Sequence, residues 1–239
     1  MTFRTFFIGL LASFGLAWLL VVIVPFFKMR DLKPIEFKDG VDEKTGLYFP
    51  KREGRVANGA KVYAENGCYL CHTQVVRPTY AGNDLYREDW GGLKDNGDGI
   101  DTRRETNAFD FAYETFAQIG VSRLGPDLSN LGRRVESIYT TPQDAEGWLY
   151  RHLYMPRYEV SRRNSTCPPM RYMFETRKIQ GARSELALPF EAEEGEEIVP
   201  GPEAQALVSY LLSLKKDDVV PASLNFSPPK AKAEPAAKK

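Results

Sequence analysis

Five consecutive residues, Cys68-Tyr69-Leu70-Cys71-His72, constrain this chain more than any other stretch. They form C-x-x-C-H, the pattern through which a c-type haem is attached. Two thiols two residues apart can add to the two vinyl groups of one porphyrin, and the imidazole that follows can reach the iron as an axial ligand. A zinc site would need two further ligands at similar spacing. The chain offers only Cys167 and His152 beyond the motif, with no paired spacing. A redox dithiol would be set in a βαβ pattern, and no such pattern surrounds this pair. Covalent haem attachment takes place outside the cytoplasmic membrane, so the motif predicts an extracytoplasmic, periplasmic location. Cys167 is then left over, as a buried thiol or an iron ligand.

The location needs a way to the membrane, and the N-terminus supplies one. From Phe6 to Phe27 the chain carries no charge and only Ser13 as a polar side chain. As a helix this run spans about 30 Å, the hydrocarbon thickness of a bilayer. Pro25-Phe26-Phe27-Lys28 is too bulky for a signal-peptide cleavage site, so residues 5–28 are expected to remain as a single-pass anchor in the cytoplasmic (inner) membrane. Arg4 lies on one side, and Lys28, Arg30, Lys33 and Lys38 on the other. A positive-inside count would put the following domain in the cytoplasm; the haem motif requires the periplasmic side, and it takes precedence. Positive and negative charges balance at 32 each, which gives no argument for nucleic-acid binding.

After a polar linker, residues 29–57, the segment from Asn58 to Gly67 reads as a helix running into Cys68. Gly59 permits close approach of another helix. Arg77, in Val76-Arg77-Pro78, is placed to pair with a haem propionate. Residues 79–120 form a long insertion. Its Asp95–Glu105 stretch has acids at calcium-loop spacing, but Lys94 stands at position one, so a solvated acidic turn is expected. Gly125-Pro126-Asp127-Leu128 is the second informative stretch. The Pro126 carbonyl is free to accept from the imidazole Nδ1–H, and Leu128 and Leu131 would wall the haem.

Residues 144–154 carry Trp148, Leu149, Leu153 and Tyr154 at helical spacing, ended by Pro156. His152 on that helix reads as a structural histidine, with a second-ligand role as the alternative. The loop Ser165-Thr166-Cys167-Pro168-Pro169-Met170-Arg171-Tyr172-Met173 is where the sixth iron ligand is expected. Met170, beside the rigid Pro-Pro, is the first choice, with Cys167, Met155 and Met173 competing. A charged excursion over 176–201 reads as a solvated acidic loop. Residues 202–215 read as a helix, with Pro202 in its first turn and an apolar face of Ala206, Leu207, Tyr210, Leu211 and Leu214. The Pro/Ala/Lys-rich residues 217–239 are expected to be disordered.

A helix ending in C-x-x-C-H, a Gly-Pro-x-Leu loop, a methionine loop and a C-terminal Leu/Tyr helix resemble the all-α class I cytochrome c fold over residues 58–216. With the anchor, Cys71-His72-Thr73-Gln74, Val76-Arg77-Pro78 and His152-Leu153-Tyr154-Met155-Pro156-Arg157, the chain resembles the monohaem cytochrome c subunit of cbb3-type cytochrome c oxidases. The resemblance implies one covalent c-type haem bound by Cys68, Cys71, His72, Pro126 and Arg77, with His72 and Met170 on the iron. It also implies one-electron transfer within a membrane respiratory complex, without catalysis by this chain alone. The implied partners are other membrane subunits and a redox-partner cytochrome or cupredoxin. The family carries its axial methionine in Ser-x-Met-Pro; here Ser165-Thr166-Cys167-Pro168 puts Cys167 at that place. Two rival readings are a membrane cytochrome c of another assembly, such as a nitric oxide reductase or an alternative quinol-oxidising complex, and a haem-free thiol-redox or zinc module.

Overall fold

A computed structural model describes residues 2–30, 33–42, 44–48, 54–87, 90–94, 101–112, 114–190 and 192–228. The chain divides into two units, Met1–Tyr48 and Phe49–Lys239. In the first, the apolar run is one continuous helix, Phe3–Met29, long and apolar enough to cross a membrane. It consists of α1 (Phe3–Trp18), a wider π turn (Leu19–Ile23) and α2 (Val24–Met29). The π turn lies just ahead of Pro25, which has no N–H to continue the i→i−4 ladder. The expected linker is not wholly irregular: Glu36–Phe37 (β1) and Gly46–Leu47 (β2) pair antiparallel.

The second unit is built on α3 (Gly54–Glu65), α4 (Leu131–Ile138), α5 (Pro142–Tyr154) and α6 (Pro202–Leu212). α3 crosses α6 where Gly59 meets Ala206. A Cβ on Gly59 would lie 2.6 Å from the Tyr210 Cβ, so only glycine allows this approach. Tyr63 and Tyr210, both fully buried, pack beside the crossing with ring centroids 5.4 Å apart. α5 starts on a capped turn. The Thr141 hydroxyl accepts from the Asp144 N–H at 3.2 Å, and Pro142 occupies the first turn, where its missing donor costs nothing. Its inner face and that of α6 join Leu128, Leu131 and Val135 in one apolar core.

Three expectations are corrected. The domain is not purely helical: Phe174–Lys178 (β3) pairs antiparallel with Glu196–Pro200 (β4). The 176–201 excursion is therefore partly a hairpin, with Ile198 and Val199 buried. Glu197, read as part of a solvated acidic cluster, is buried and accepts from Arg177 Nε at 2.9 Å and the Ser184 N–H at 2.7 Å. Finally, residues 217–228 are not a free tail. Val220, Pro221 and Leu224 are buried, and Asp217 accepts from Arg133 and Thr102. The strap also receives Asn107 Nδ2 on the Leu224 carbonyl, at 3.2 Å. Residues 229–239, and 95–100 of the acidic turn, lie outside the described residues.

Candidate haem site

The C-x-x-C-H segment leaves α3 through Asn66-Gly67 and closes on itself as a 3-10 turn, Cys68–Leu70. The Cys71 and His72 amides both donate to the Cys68 carbonyl, at 3.2 and 3.0 Å. All three cysteines are free thiols, partly buried. Burial pushes the Cys68 thiol up to about 12, and negative charge at Cys167 or Cys71 would push it further. Burial likewise raises Cys167, opposed by the Arg157 guanidinium. The structure thus brings Cys167 into electrostatic reach of the Cys68–Cys71 pair.

His72 is held from one side by the Gly125-Pro126-Asp127-Leu128 loop. Its Nδ1 lies 2.8 Å from the Pro126 carbonyl, an acceptor only, so Nδ1 carries the proton and Nε2 is left as the donor atom for a metal. Burial depresses the His72 pKa, which favours the neutral ring that a metal needs. Gly125 lies flat against the imidazole; a Cβ there would fall 2.6 Å from Nδ1. The loop runs alongside the motif through a ladder of amides: Val121 to the Tyr69 carbonyl, Gly125 to that of Cys71 and Leu128 to that of Thr73, each 2.8 Å. Asp127, fully buried, accepts from the Thr73 hydroxyl at 2.6 Å and from the amides of Val75 and Ser129 at 3.0 and 2.8 Å. Two thiols and an imidazole with a free Nε2, in one turn, form a donor set that fits a haem.

The other expected site residues fall in three places. His152 is stacked on Trp148, 5.6 Å between ring centroids, and burial lowers its pKa to about 4, with help from the Arg162 and His72 charges. It therefore lies within electrostatic reach of His72. Met170 and Met173 are buried in the apolar core, with the Met170 amide donating to the Leu153 carbonyl at 2.8 Å. Arg77 pairs with Asp84 while its side chain stays 46% exposed. Its Nε and Nη2 donate to Asp84, at 2.9 and 2.8 Å.

The chain matches the family described as cytochrome c oxidase, mono-haem subunit (FixO), over residues 16–189. It belongs to that family. The match runs from the membrane helix through the C-x-x-C-H turn, the Pro126 loop and the 163–173 loop. The mono-haem family name agrees with a single C-x-x-C-H. As an oxidase subunit of this family, the chain works with other membrane subunits in electron transfer. No curated protein matches it.

Reading the sequence for single roles passed over Gly125, Thr73 and Asp127. Gly125 and Asp127 flank Pro126 in the tetrapeptide already singled out, and Thr73 follows His72. Their roles are contacts between two segments more than 50 residues apart, which neither segment shows alone.

Proposed function

We propose that this chain carries one c-type haem, bound by thioethers from Cys68 and Cys71, and passes single electrons within a cbb3-type terminal oxidase. The observation that supports this best is the 2.8 Å contact from His72 Nδ1 to the Pro126 carbonyl, beside two free thiols. When bound, the haem supplies a one-electron Fe(III)/Fe(II) couple. Everything else is the work of the chain. Pro126 fixes the ring and its tautomer and raises the basicity of Nε2. Gly125 leaves room for the imidazole alone. The Phe3–Met29 helix anchors the domain, which stands on the periplasmic side of the inner membrane, where thioethers are made. Electrons arrive from a cytochrome or cupredoxin and leave to a neighbouring membrane subunit; no catalysis is assigned to this chain by itself.

Met170 is the sixth ligand in this reading: a thioether on a stiff Pro-Pro loop, in an apolar setting that raises the potential and suits a relay. A second reading gives the iron to Cys167, which stands at the methionine position of the resembled Ser-x-Met-Pro stretch and couples electrostatically to Cys68 and Cys71. A thiolate there would lower the potential.

Purification in mild detergent, followed by a pyridine haemochrome spectrum, tests the core of the proposal. A c-type α-band and a copper-containing, oxygen-reducing partner are expected. A haem-free preparation, or a non-haem-iron reductase as the partner, would sink it. For the distal ligand, ferric wild type should show the weak long-wavelength band of methionine sulfur on haem iron. Met170→Ala should abolish that band and Cys167→Ala should keep it; the reverse outcome assigns the iron to Cys167.

A further inference from the structure

The 79–120 insertion holds Asp84, a carboxylate with a side chain only 3% exposed. It receives five hydrogen bonds. Arg77 gives its amide at 3.0 Å, its Nε at 2.9 Å and its Nη2 at 2.8 Å. Arg123 gives Nη1 at 2.8 Å and Nη2 at 2.7 Å. Burial works to raise the Asp84 pKa, but these bonds outweigh it and hold the carboxyl well below its ordinary range. Such charge-assisted forks fix geometry as well as charge. Arg123 is fixed further by stacking over Trp90, 4.7 Å from the ring centroid.

The rest of the Arg123 fork reaches the segment that follows His72. Its Nε donates to the Thr73 hydroxyl at 3.0 Å, and Nη2 also donates to the Val75 carbonyl at 2.9 Å. Asp127 grips the same two residues from the opposite side, through the Thr73 hydroxyl and the Val75 amide. Residues 73 and 75 are thus clamped between an arginine set by the insertion and an aspartate from the loop. The contacts are in step along the chain: His72 meets Pro126, and Thr73 meets Asp127, one residue on in each segment. Whatever fixes Thr73 against Asp127 also fixes His72 against Pro126.

We propose that Asp84 and Arg123 are positioning residues for His72, acting through the Thr73 hydroxyl, so that the insertion helps to set the reduction potential of the haem. This rests on the haem reading above. A slackened clamp lengthens the Nδ1–H to Pro126 hydrogen bond, lowers the basicity of Nε2 and disfavours the ferric state. The potential then rises.

The test is potentiometric titration of the purified membrane complex, with paramagnetic NMR of the His72 ring protons in the ferric form. A wild type without a c-type α-band would end the haem reading itself. With haem present, Thr73→Val changes no charge and cuts the bridge. It should raise the potential by a severalfold change in the one-electron equilibrium, up to about tenfold or ~59 mV. It should also shift the His72 ring signals, and Thr73→Ser should restore both. Asp84→Asn should raise the potential in wild type and add much less in the Thr73→Val background. If Asp84→Asn does not mature, Arg123→Lys replaces it with the same expectation, since lysine keeps the charge and lacks the fork. A silent Thr73→Val overturns the proposal. So does an Asp84→Asn shift of equal size in both backgrounds, which would be the signature of charge acting through space.

Discussion

On the His72 side of the candidate site, residues 72–75 are held by the buried Asp127 carboxylate, the Pro126 carbonyl and the Arg123 guanidinium fork. On the side of residues 165–173, only Met170 and Met173 are buried, and the chain is held mainly through its amides, with the Tyr172 hydroxyl on Asn66 Oδ1 as a side-chain tie. There the Met170 amide bonds the Leu153 carbonyl, the Gly201 amide bonds the Met173 carbonyl at 2.9 Å, and the Cys167 amide bonds its neighbour Ser165 Oγ at 3.2 Å. The two constructions respond differently to change. A buried polar network demands each partner, because an unmatched donor or acceptor costs its full desolvation. A mostly exposed loop anchored by two buried methionines tolerates substitution more readily. The tolerant side is where Cys167 and Met170, the two rival iron ligands, stand three residues apart.

The largest expected effect comes from Gly125, where the two sides should differ most. A valine there forces its Cβ into the His72 ring. Overpacking of this kind costs about 1–3 kcal/mol where it can be absorbed, and a ring pinned between a turn and a loop has little room to yield. Haem content per protein, measured by pyridine haemochrome, should fall severalfold, because a displaced ring spoils the geometry in which the thioethers form. Normal haem loading of Gly125→Val would show that the ring is not pinned there, and the contrast between the sides would fail at its strongest point.

Asp127→Asn comes next. Asp127 accepts from three donors with its two oxygens. An amide has only one oxygen, and its NH2 faces a donor. The loss should be about 1–3 kcal/mol in urea unfolding of the haem-loaded domain. Cys167→Ala, on the tolerant side at a half-buried position, should cost less than about 1 kcal/mol. Equal losses would erase the distinction.

Acid should separate the sides by pH. The folded His152 pKa, about 4, lies below its ordinary 6.5. Its contribution is therefore fully present above about pH 6.5 and is lost as pH falls toward 4, because the unfolded chain takes the proton first. The folded Asp84 pKa is also depressed. Its contribution is present above about pH 3.9, the ordinary aspartate value, and is lost only as pH falls below it toward the folded pKa. Stability should decline in two limbs: His152→Gln flattens the upper one and Asp84→Asn the lower. A single limb, unchanged by His152→Gln, would mean that the half-buried histidine does not report on its side of the site.

What could be read in the sequence followed from how local each feature is. The membrane helix, the C-x-x-C-H turn, the Gly59 crossing and the Pro202 helix depend on spacings within one segment, and each lies where the pattern placed it, α6 stopping at Leu212 rather than residue 215. The Pro126 carbonyl was also readable, because a proline in a glycine-bounded loop leaves its oxygen free. The misreadings share a different cause. The pairing of Arg77 with Asp84 went unread because Asp84 sits in a stretch with no periodicity. Glu197 looked solvated because four other acids surround it in sequence, while Arg177 and the Ser184 amide reach it only across the β3–β4 hairpin. Residues 217–228 have the composition of a tail, and are held by Arg133, Thr102 and Asn107 from elements far away in sequence.

The smallest effect has the opposite sign, and it sets the glycine of one side against the glycine of the other. Gly147 lies inside α5, on the His152 side, where an unsubstituted backbone costs about 0.5–1 kcal/mol relative to alanine. The one atom a Cβ there would meet is the Arg151 Nη1, at 3.3 Å, the end of a long side chain that can swing aside. Gly147→Ala should therefore stabilise the domain by about 0.5–1 kcal/mol, read as a raised urea midpoint with an unchanged slope. Haem content and reduction potential should stay at their wild-type values, since nothing at position 147 touches His72 or the 165–173 loop. A fall in stability would mean that Arg151 cannot move. A shifted potential would mean that α5 is as tightly tied to the iron as the Pro126 loop, and the difference between the two sides would be one of chemistry without a difference in tolerance.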